Sequence, residues 1–227
     1  MSDRRARLAL ASGIAMVCAI YTWIQHDYFI VHGSAPDSLY LWRAAQLMTH
    51  GLDPWSAAVW NNATTAFTGA HDAGWTVRLV DPLYYPMPAV LLWVPLSMLP
   101  FLAATTLFNS IGAFLFVYAV TRDGLHRAWL CGSMPFVFAM RFGQWSPLIA
   151  AAVVLPALAA VLVAKPNLGL PVFVSAPSIT AAIACALLLV LPTLIAPWWV
   201  REWIANVSGA LGRSAPHPAP VTMFGGA

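Results

Sequence analysis

The sequence predicts an all-α membrane protein, a polytopic transmembrane helix bundle of about six spans with an amphipathic helix on its outer surface. Three observations lead there. Of the 227 residues, 60% are apolar and only 8% charged, against roughly 25% charged in a soluble domain. Uncharged runs recur, the longest over residues 83–120 and 166–200, where about 20 apolar residues suffice to cross hydrocarbon. The remaining charges gather in short intervening stretches, and half of the eight acids fall between residues 29 and 82. Disordered, collagen-like and disulfide-stapled chains are excluded by this composition. A formal net charge of +3 without a basic cluster gives no nucleic-acid partner and leaves membrane lipids as the surroundings.

Read in order as one integral membrane domain, 1–227, the chain opens with Arg4, Arg5 and Arg7 and then an apolar first span, 8–28. The three arginines place the N-terminus in the cytoplasm by the positive-inside preference, and so residues 29–82 outside. In this outer loop Ser34, Pro36 and Asp37 read as a helix start, and Leu39, Trp42, Ala45 and Met48 recur at helical spacing. Gly51 ends the pattern and Asp53-Pro54 makes a turn. The expectation is an amphipathic helix over 37–50 lying on the outer surface, with Tyr40, Trp42, Trp55 and Trp60 at the membrane interface.

The spans that follow occupy 83–200. Pro100 divides 83–120 into 84–99 and 101–120, and Arg141 separates apolar runs at 128–140 and 142–164. Pro171, Pro177, Pro192 and Pro197 break the next run, leaving one main span near 178–196. Trp198, Trp199 and Trp203 beside Arg201 and Glu202 read as an interfacial belt, so 201–227 is an interfacial segment with an irregular tail. Strict counting puts Pro100 inside, Arg122 and Arg127 outside against the positive-inside preference, Arg141 inside and Lys165 outside, so either one short run does not cross or the bias is overridden here.

Four groups offer chemistry. Asp37, an acid at the start of an outward helix, suits a general base; compensation of the helix dipole explains it as well. Lys165 interrupts a long uncharged stretch, which fits either a phosphate contact or a lysine snorkelling to the interface. Arg141, Gly143 and Gln144 place a cation and an amide around a glycine, or simply form a turn at the bilayer edge. Tyr84, Tyr85, Pro86 and Pro88 open a span, and for them a structural role suffices. The six histidines show no metal-ligand spacing, and no phosphate-binding glycine loop or serine elbow occurs. No metal and no cofactor are therefore expected. Cys18, Cys131 and Cys185 sit in apolar runs as packing residues.

The order of Asp37-x-x-Tyr40-x-Trp42-Arg43-Ala44-Ala45, Gly51-Leu-Asp53-Pro54-Trp55, Tyr85-Pro86-Met87-Pro88, Leu96-x-x-Leu99-Pro100, Gly143-Gln144 and Lys165-Pro166 resembles membrane glycosyltransferases of family 87. The resemblance covers residues 30 to 170. It implies a GT-C-like fold in the bacterial plasma membrane and inverting transfer of a sugar, often mannose, on the outer face. The donor would be a polyprenyl-phosphate sugar and the acceptor a lipid or glycan hydroxyl. Asp37 would be the catalytic base; Lys165, Arg43 and Arg141 would bind the donor phosphate; Tyr40, Trp42, Asp53, Tyr85 and Gln144 would bind substrate. Two departures accompany it. Family members usually continue through further spans, so a truncated chain is expected, and Ser146 stands where asparagine is common after Gly-Gln. The rival expectations are a non-catalytic membrane scaffold or fragment of such an enzyme, and a small transporter with Lys165 and Arg141 as intramembrane contacts.

Overall fold

A computed structural model describes residues 3–32, 35–61 and 82–212. Among them all regular structure is helical. The α-helices are α1 (Asp3–His32), α2 (Asp37–Thr49), α3 (Met87–Ser97), α4 (Phe101–Val120), α5 (Met134–Phe142), α6 (Ser146–Ala152), α7 (Pro166–Ser175), α8 (Ile179–Ile195) and α9 (Trp198–Gly212). Tighter 3-10 segments run over Leu125–Gly132 and Pro156–Ala164. Residues 62–81 of the expected outer loop, with Asp72, Arg78 and Asp81, and the tail from Arg213 lie outside the described residues.

The chain is a membrane protein by composition, but among the described residues two helices, not six, are long and apolar enough to cross a bilayer by themselves: α1 over Asp3–Gln25 and α4 extended to Asp123. A third crossing arises only if α8 and α9, bent by 105° at their junction, count as one broken span. The reason is proline. Pro88, Pro135, Pro147, Pro156 and Pro166 each occupy the first or second position of a helix, where the missing N–H costs nothing, and Leu155 and Lys165, which precede two of them, are out of helical geometry. The expected spans 128–140 and 142–164 thereby become short pieces.

Helices α1 and α4 pack antiparallel. Arg7 donates to the Tyr118 carbonyl and stacks 4.4 Å above the Tyr118 ring, while deeper in the pair Asn109 Nδ2 donates to Thr22 Oγ1 at 2.9 Å. The same nitrogen donates to the Met140 carbonyl at 2.7 Å, tying α5 to the pair. Away from this contact Met16, Val17, Ile20 and Ile24 form an exposed apolar stripe on α1, the surface that faces lipid.

Helix α2 does not lie on a membrane surface as expected. Ser38, Leu39, Leu41, Trp42, Ala44, Ala45 and Leu47 are buried, and they point in all directions around the helix. Trp42, Trp55 and Trp60 are buried too, against the expectation that they sit at the interface. Trp42 Nε1 donates to the Leu99 carbonyl at 2.9 Å, and Trp55 Nε1 to the Tyr85 carbonyl at 2.9 Å. An indole inside a protein needs a partner for its N–H, and backbone carbonyls at chain breaks supply one. Both segments flanking α3 are thus tied to the α2 region. At about 1.5 Å per residue the eleven residues of α3 span only about 16 Å, so α3 stays at one end of the α1–α4 pair.

This corrects the side assignments. With α3 not crossing, Pro100 lies at the α2 end, and α4 then runs to the end marked by Arg7. Arg122 and Arg127 follow directly and join Arg4, Arg5 and Arg7, which removes the conflict with charge bias. Helix α5 climbs back along α4, Phe136 packing on Phe116 at 5.2 Å, and Gly143 reaches Ser38 of α2. Arg141 therefore lies near the α2 end, not opposite it. From there α6 descends beside α4, with Trp145 against Phe108 at 5.1 Å and Leu148 beside Gly112. After the short connection 153–155 the Pro156–Ala164 segment packs back on α6 and α3, so Lys165 returns toward the α2 end. Helix α8 flanks the 3-10 segment and α3, close to the expected 178–196 span.

Single cysteines in a cysteine-free chain test this path. Arg5→Cys and Arg122→Cys are expected to react with an impermeant thiol reagent from one face of sealed vesicles, and Met98→Cys from the other. Labelling of Met98→Cys together with Arg5→Cys would show that α3 crosses.

Candidate functional site

The site forms where α2 begins. Pro36, in extended geometry, is the cap of α2, and its carbonyl accepts from the Leu39 amide at 2.9 Å. Proline fixes φ and ends the preceding chain, so Asp37 enters the first turn with its carboxylate half exposed. Tyr85 Oη donates to Asp37 Oδ2 at 2.6 Å. Burial, and then the adjacent Asp37 carboxylate, push the Tyr85 hydroxyl well above its usual range, so it keeps its proton and remains the donor. One carboxylate oxygen is held; Oδ1 has no hydrogen bond from the described residues.

Beyond Asp37 a strip of half-buried polar side chains, Tyr40, Arg43 and Gln46, recurs every three residues along α2. Tyr40 stacks on Trp60 with ring centres 6.0 Å apart. Arg43 donates to Gln46 Oε1 at 3.1 Å, and burial lowers its guanidinium from the usual value. Three of the expected site residues, Asp37, Tyr40 and Arg43, therefore share the accessible strip of one helix. Trp42 does not. Its ring is buried, packs edge-on to Phe101 at 5.7 Å and bonds Leu99, so it fixes α2 to the bundle.

Asp53 is also committed inside the protein. Its Oδ1 accepts the Trp55 amide at 3.0 Å, a side-chain turn of the kind that aspartate favours before proline, and its carboxyl meets that of Glu202 on α9. Gln144 follows Gly143, whose φ of +63° ends α5 in the left-handed region. A Cβ at Gly143 would lie 2.5 Å from Ser38 Cβ. The glycine is what allows this loop to close on the residue next to Asp37. Arg141, one turn earlier, faces Tyr21 of α1 and Phe142. Lys165 heads α7, with its ammonium bonded to none of the described residues, at the end that also carries α2. No contact joins Lys165 and Asp37.

Between α3 and α8 lies an apolar cleft of about 350 Å³, lined by Met87, Leu91, Leu187, Leu188, Leu191 and Ile195. It starts two residues along the chain from Tyr85. Met87, the first residue of the lining, thus stands two residues after the phenol that holds the carboxylate, and an apolar trough of this size suits a hydrocarbon chain. Among the described residues no group of three or more His, Cys, Asp or Glu gathers to hold a metal. Sequence reasoning missed Ser38, Glu202 and Asn206 as parts of the site. Glu202 carried a signal, being the one acid after Asp123 and set among tryptophans.

Gly143→Ala is expected to destabilise the protein by about 2–4 kcal/mol, from the positive φ and the overlap with Ser38, read by denaturant unfolding in detergent. Adding Ser38→Gly should recover the steric part only; no recovery would place the cost elsewhere. No known protein family, curated protein or solved structure matches this chain.

Proposed function

We propose that the chain transfers a sugar, with mannose the first choice, from a polyprenyl-phosphate donor to a lipid or glycan hydroxyl, with inversion at the anomeric carbon. The observation that carries this reading is the Asp37 carboxylate, held through one oxygen by Tyr85, with an apolar cleft between α3 and α8 whose lining begins at Met87. It is the geometry that a general base needs when one substrate is a lipid. The motif order of a family 87 glycosyltransferase supports the same assignment.

In this mechanism the acceptor hydroxyl approaches Asp37 Oδ1. Its oxygen bonds to the anomeric carbon as Asp37 takes its proton, and the bond from that carbon to the phosphate oxygen breaks, the electron pair leaving with the polyprenyl phosphate. Tyr85 fixes the carboxylate plane, so that the free oxygen meets the acceptor in one orientation. The leaving phosphate gains negative charge and needs cations in a site of low dielectric. Lys165, Arg43 and Arg141 are assigned that role. The hydrocarbon tail takes the α3–α8 cleft. The N-terminal arginines stand on the cytoplasmic side of a bacterial plasma membrane and Asp37 at the outer face.

The test is sugar transfer from polyprenyl-phosphate mannose in reconstituted membranes at matched folded amounts. Asp37→Asn is expected to lower turnover by at least about 100-fold, the range of general-base catalysis, and Tyr85→Phe by roughly tenfold through loss of orientation. Lys165→Ala should lower it by an intermediate factor. Product formed equally by Asp37→Asn, or no product from the folded natural chain with several donor sugars, overturns the reading and leaves a scaffold or fragment.

A further inference from the structure

Helix α9 spans the two segments that build the Asp37 site. Trp203 Nε1 donates to the Tyr84 carbonyl at 2.8 Å. Asn206 Nδ2 donates to the carbonyls of Trp55 at 3.3 Å and Leu83 at 3.4 Å. Trp199 is buried with its ring 6.0 Å from that of Trp55, and Trp55 in turn bonds the Tyr85 carbonyl. Glu202 lies one turn before Asn206 on the same face of α9, and Asn206 holds the carbonyl of Trp55, whose amide is bonded to Asp53 Oδ1, so Glu202 faces the Asp53 turn with Asp53 as its hydrogen-bond partner. Glu202 Oε2 is buried, and no N–H or O–H of the described residues serves it. Two ionised carboxylates repel in such a position, whereas one proton between them makes a short, strong bond.

We propose that Asp53 and Glu202 share a single proton, and that this shared proton clasps α9 onto the segments that present Tyr85 to Asp37. Both acids are then positioning residues, acting through Tyr85. Asp53 Oδ1 already takes the Trp55 amide, so the clasp and the Trp55–Tyr85 contact are mechanically one unit. Among the described residues the other groups facing the pair are few. Arg201 adjoins it on α9, Tyr84 and Tyr85 lie on the segment beneath, and α8 contributes no charged residue.

The direction with pH follows. Asp53 as hydrogen-bond partner, then burial, then the Asp53 charge push the Glu202 carboxyl up to about 7, with Arg201 pulling the other way. A group whose value is raised on docking supports the docked state fully below its ordinary range, near 4.5, and loses that support as pH rises through about 7. Because the pair is partly open to solvent, roughly a tenfold loosening across this window is expected, less than the full shift allows.

Hydrogen exchange of the full chain in lipid nanodiscs tests this, following peptides over 82–86 and 198–209 and correcting for the intrinsic pH dependence of exchange. Opening of both should rise about tenfold between pH 5.5 and 8.5. Glu202→Gln, whose amide donates to Asp53 at every pH, should stay protected at pH 8.5; Asp53→Asn, donating the other way, gives the same result if the first variant folds poorly. Asn206→Ala should loosen α9 equally at both pH values and keep the pH dependence. Equal protection of the natural chain at both pH values, or Glu202→Gln following the natural pH dependence, overturns the proposal. Its bearing on catalysis rests on the proposed role of Asp37, but exchange is read without donor. A chain that shows the pH-dependent clasp and no sugar transfer upholds this proposal while the enzyme reading fails.

Discussion

The hydrogen bond from the Trp42 indole to the Leu99 carbonyl constrains the whole molecule. Leu99 precedes Pro100 at the break between α3 and α4, where helical bonding is interrupted and the carbonyl needs a donor. Trp42 supplies it from α2, at 2.9 Å. Once Leu99 is bound to α2, α4 must start at the α2 end and run toward Arg7, and the rest follows from that direction. The basic residues on both sides of the α1–α4 pair collect at one end, and α5 must climb back. Gly143 then arrives beside Ser38. A chain in which α3 crossed would separate Trp42 from Leu99 by a membrane thickness and leave both an indole and a carbonyl unbonded in an apolar interior.

A second consequence is that α2 is a core helix, although it follows a span and carries polar residues. Its buried residues surround it, against α3, α4 and Trp55, so before its last two residues its accessible surface is reduced to the strip of Asp37, Tyr40, Arg43 and Gln46. Enclosure holds those side chains in place as an interfacial helix floating at the lipid surface would not. Functional groups on packed helices are held more closely than groups on loops, and the Tyr85–Asp37 bond draws on that rigidity from both sides: α2 carries the acceptor, and the Trp55-bonded backbone at Tyr85 carries the donor.

Much of this was legible in the sequence. Composition gave membrane helices, Arg4, Arg5 and Arg7 marked one end, and Pro36-Asp37 with the Leu39, Ala45 and Met48 spacing gave α2 to within a residue at each terminus. The division at Pro100 and the α8 boundaries were also readable, because proline and apolar length are local signals. Three things were not. An apolar run has the same composition whether it crosses or folds back, so α3, α5 and α6 read as spans. Tryptophan suits both an interface and a core, and only a carbonyl partner distant in sequence, such as Leu99 for Trp42, decides between them. The meeting of Asp53 with Glu202 joins residues from opposite ends of the chain, and no periodicity encodes it.

The breaks themselves explain why one end of the bundle carries the candidate site. Backbone that leaves helical geometry inside a membrane protein must be covered by protein or line a cavity. Here the breaks before α3, between α3 and α4, after α5 and before α7 all return to the α2 end, and each is closed by a specific contact. Trp55 and Trp203 bond the carbonyls of Tyr85 and Tyr84, Trp42 bonds Leu99, Gly143 fits against Ser38, and Gly169 packs so tightly on the Leu162 carbonyl that a Cβ would lie 2.6 Å from its carbon. The opposite end, by contrast, carries arginines and one exposed ion pair, Arg127 with Asp123 at 2.7 Å, of the sort that contributes little. Short proline-started helices cost the chain its simple spans, and in exchange they bring the Asp37 carboxylate and the Tyr85 phenol together at the end where α3 begins. A bundle of six straight spans would cover its backbone without any such meeting point.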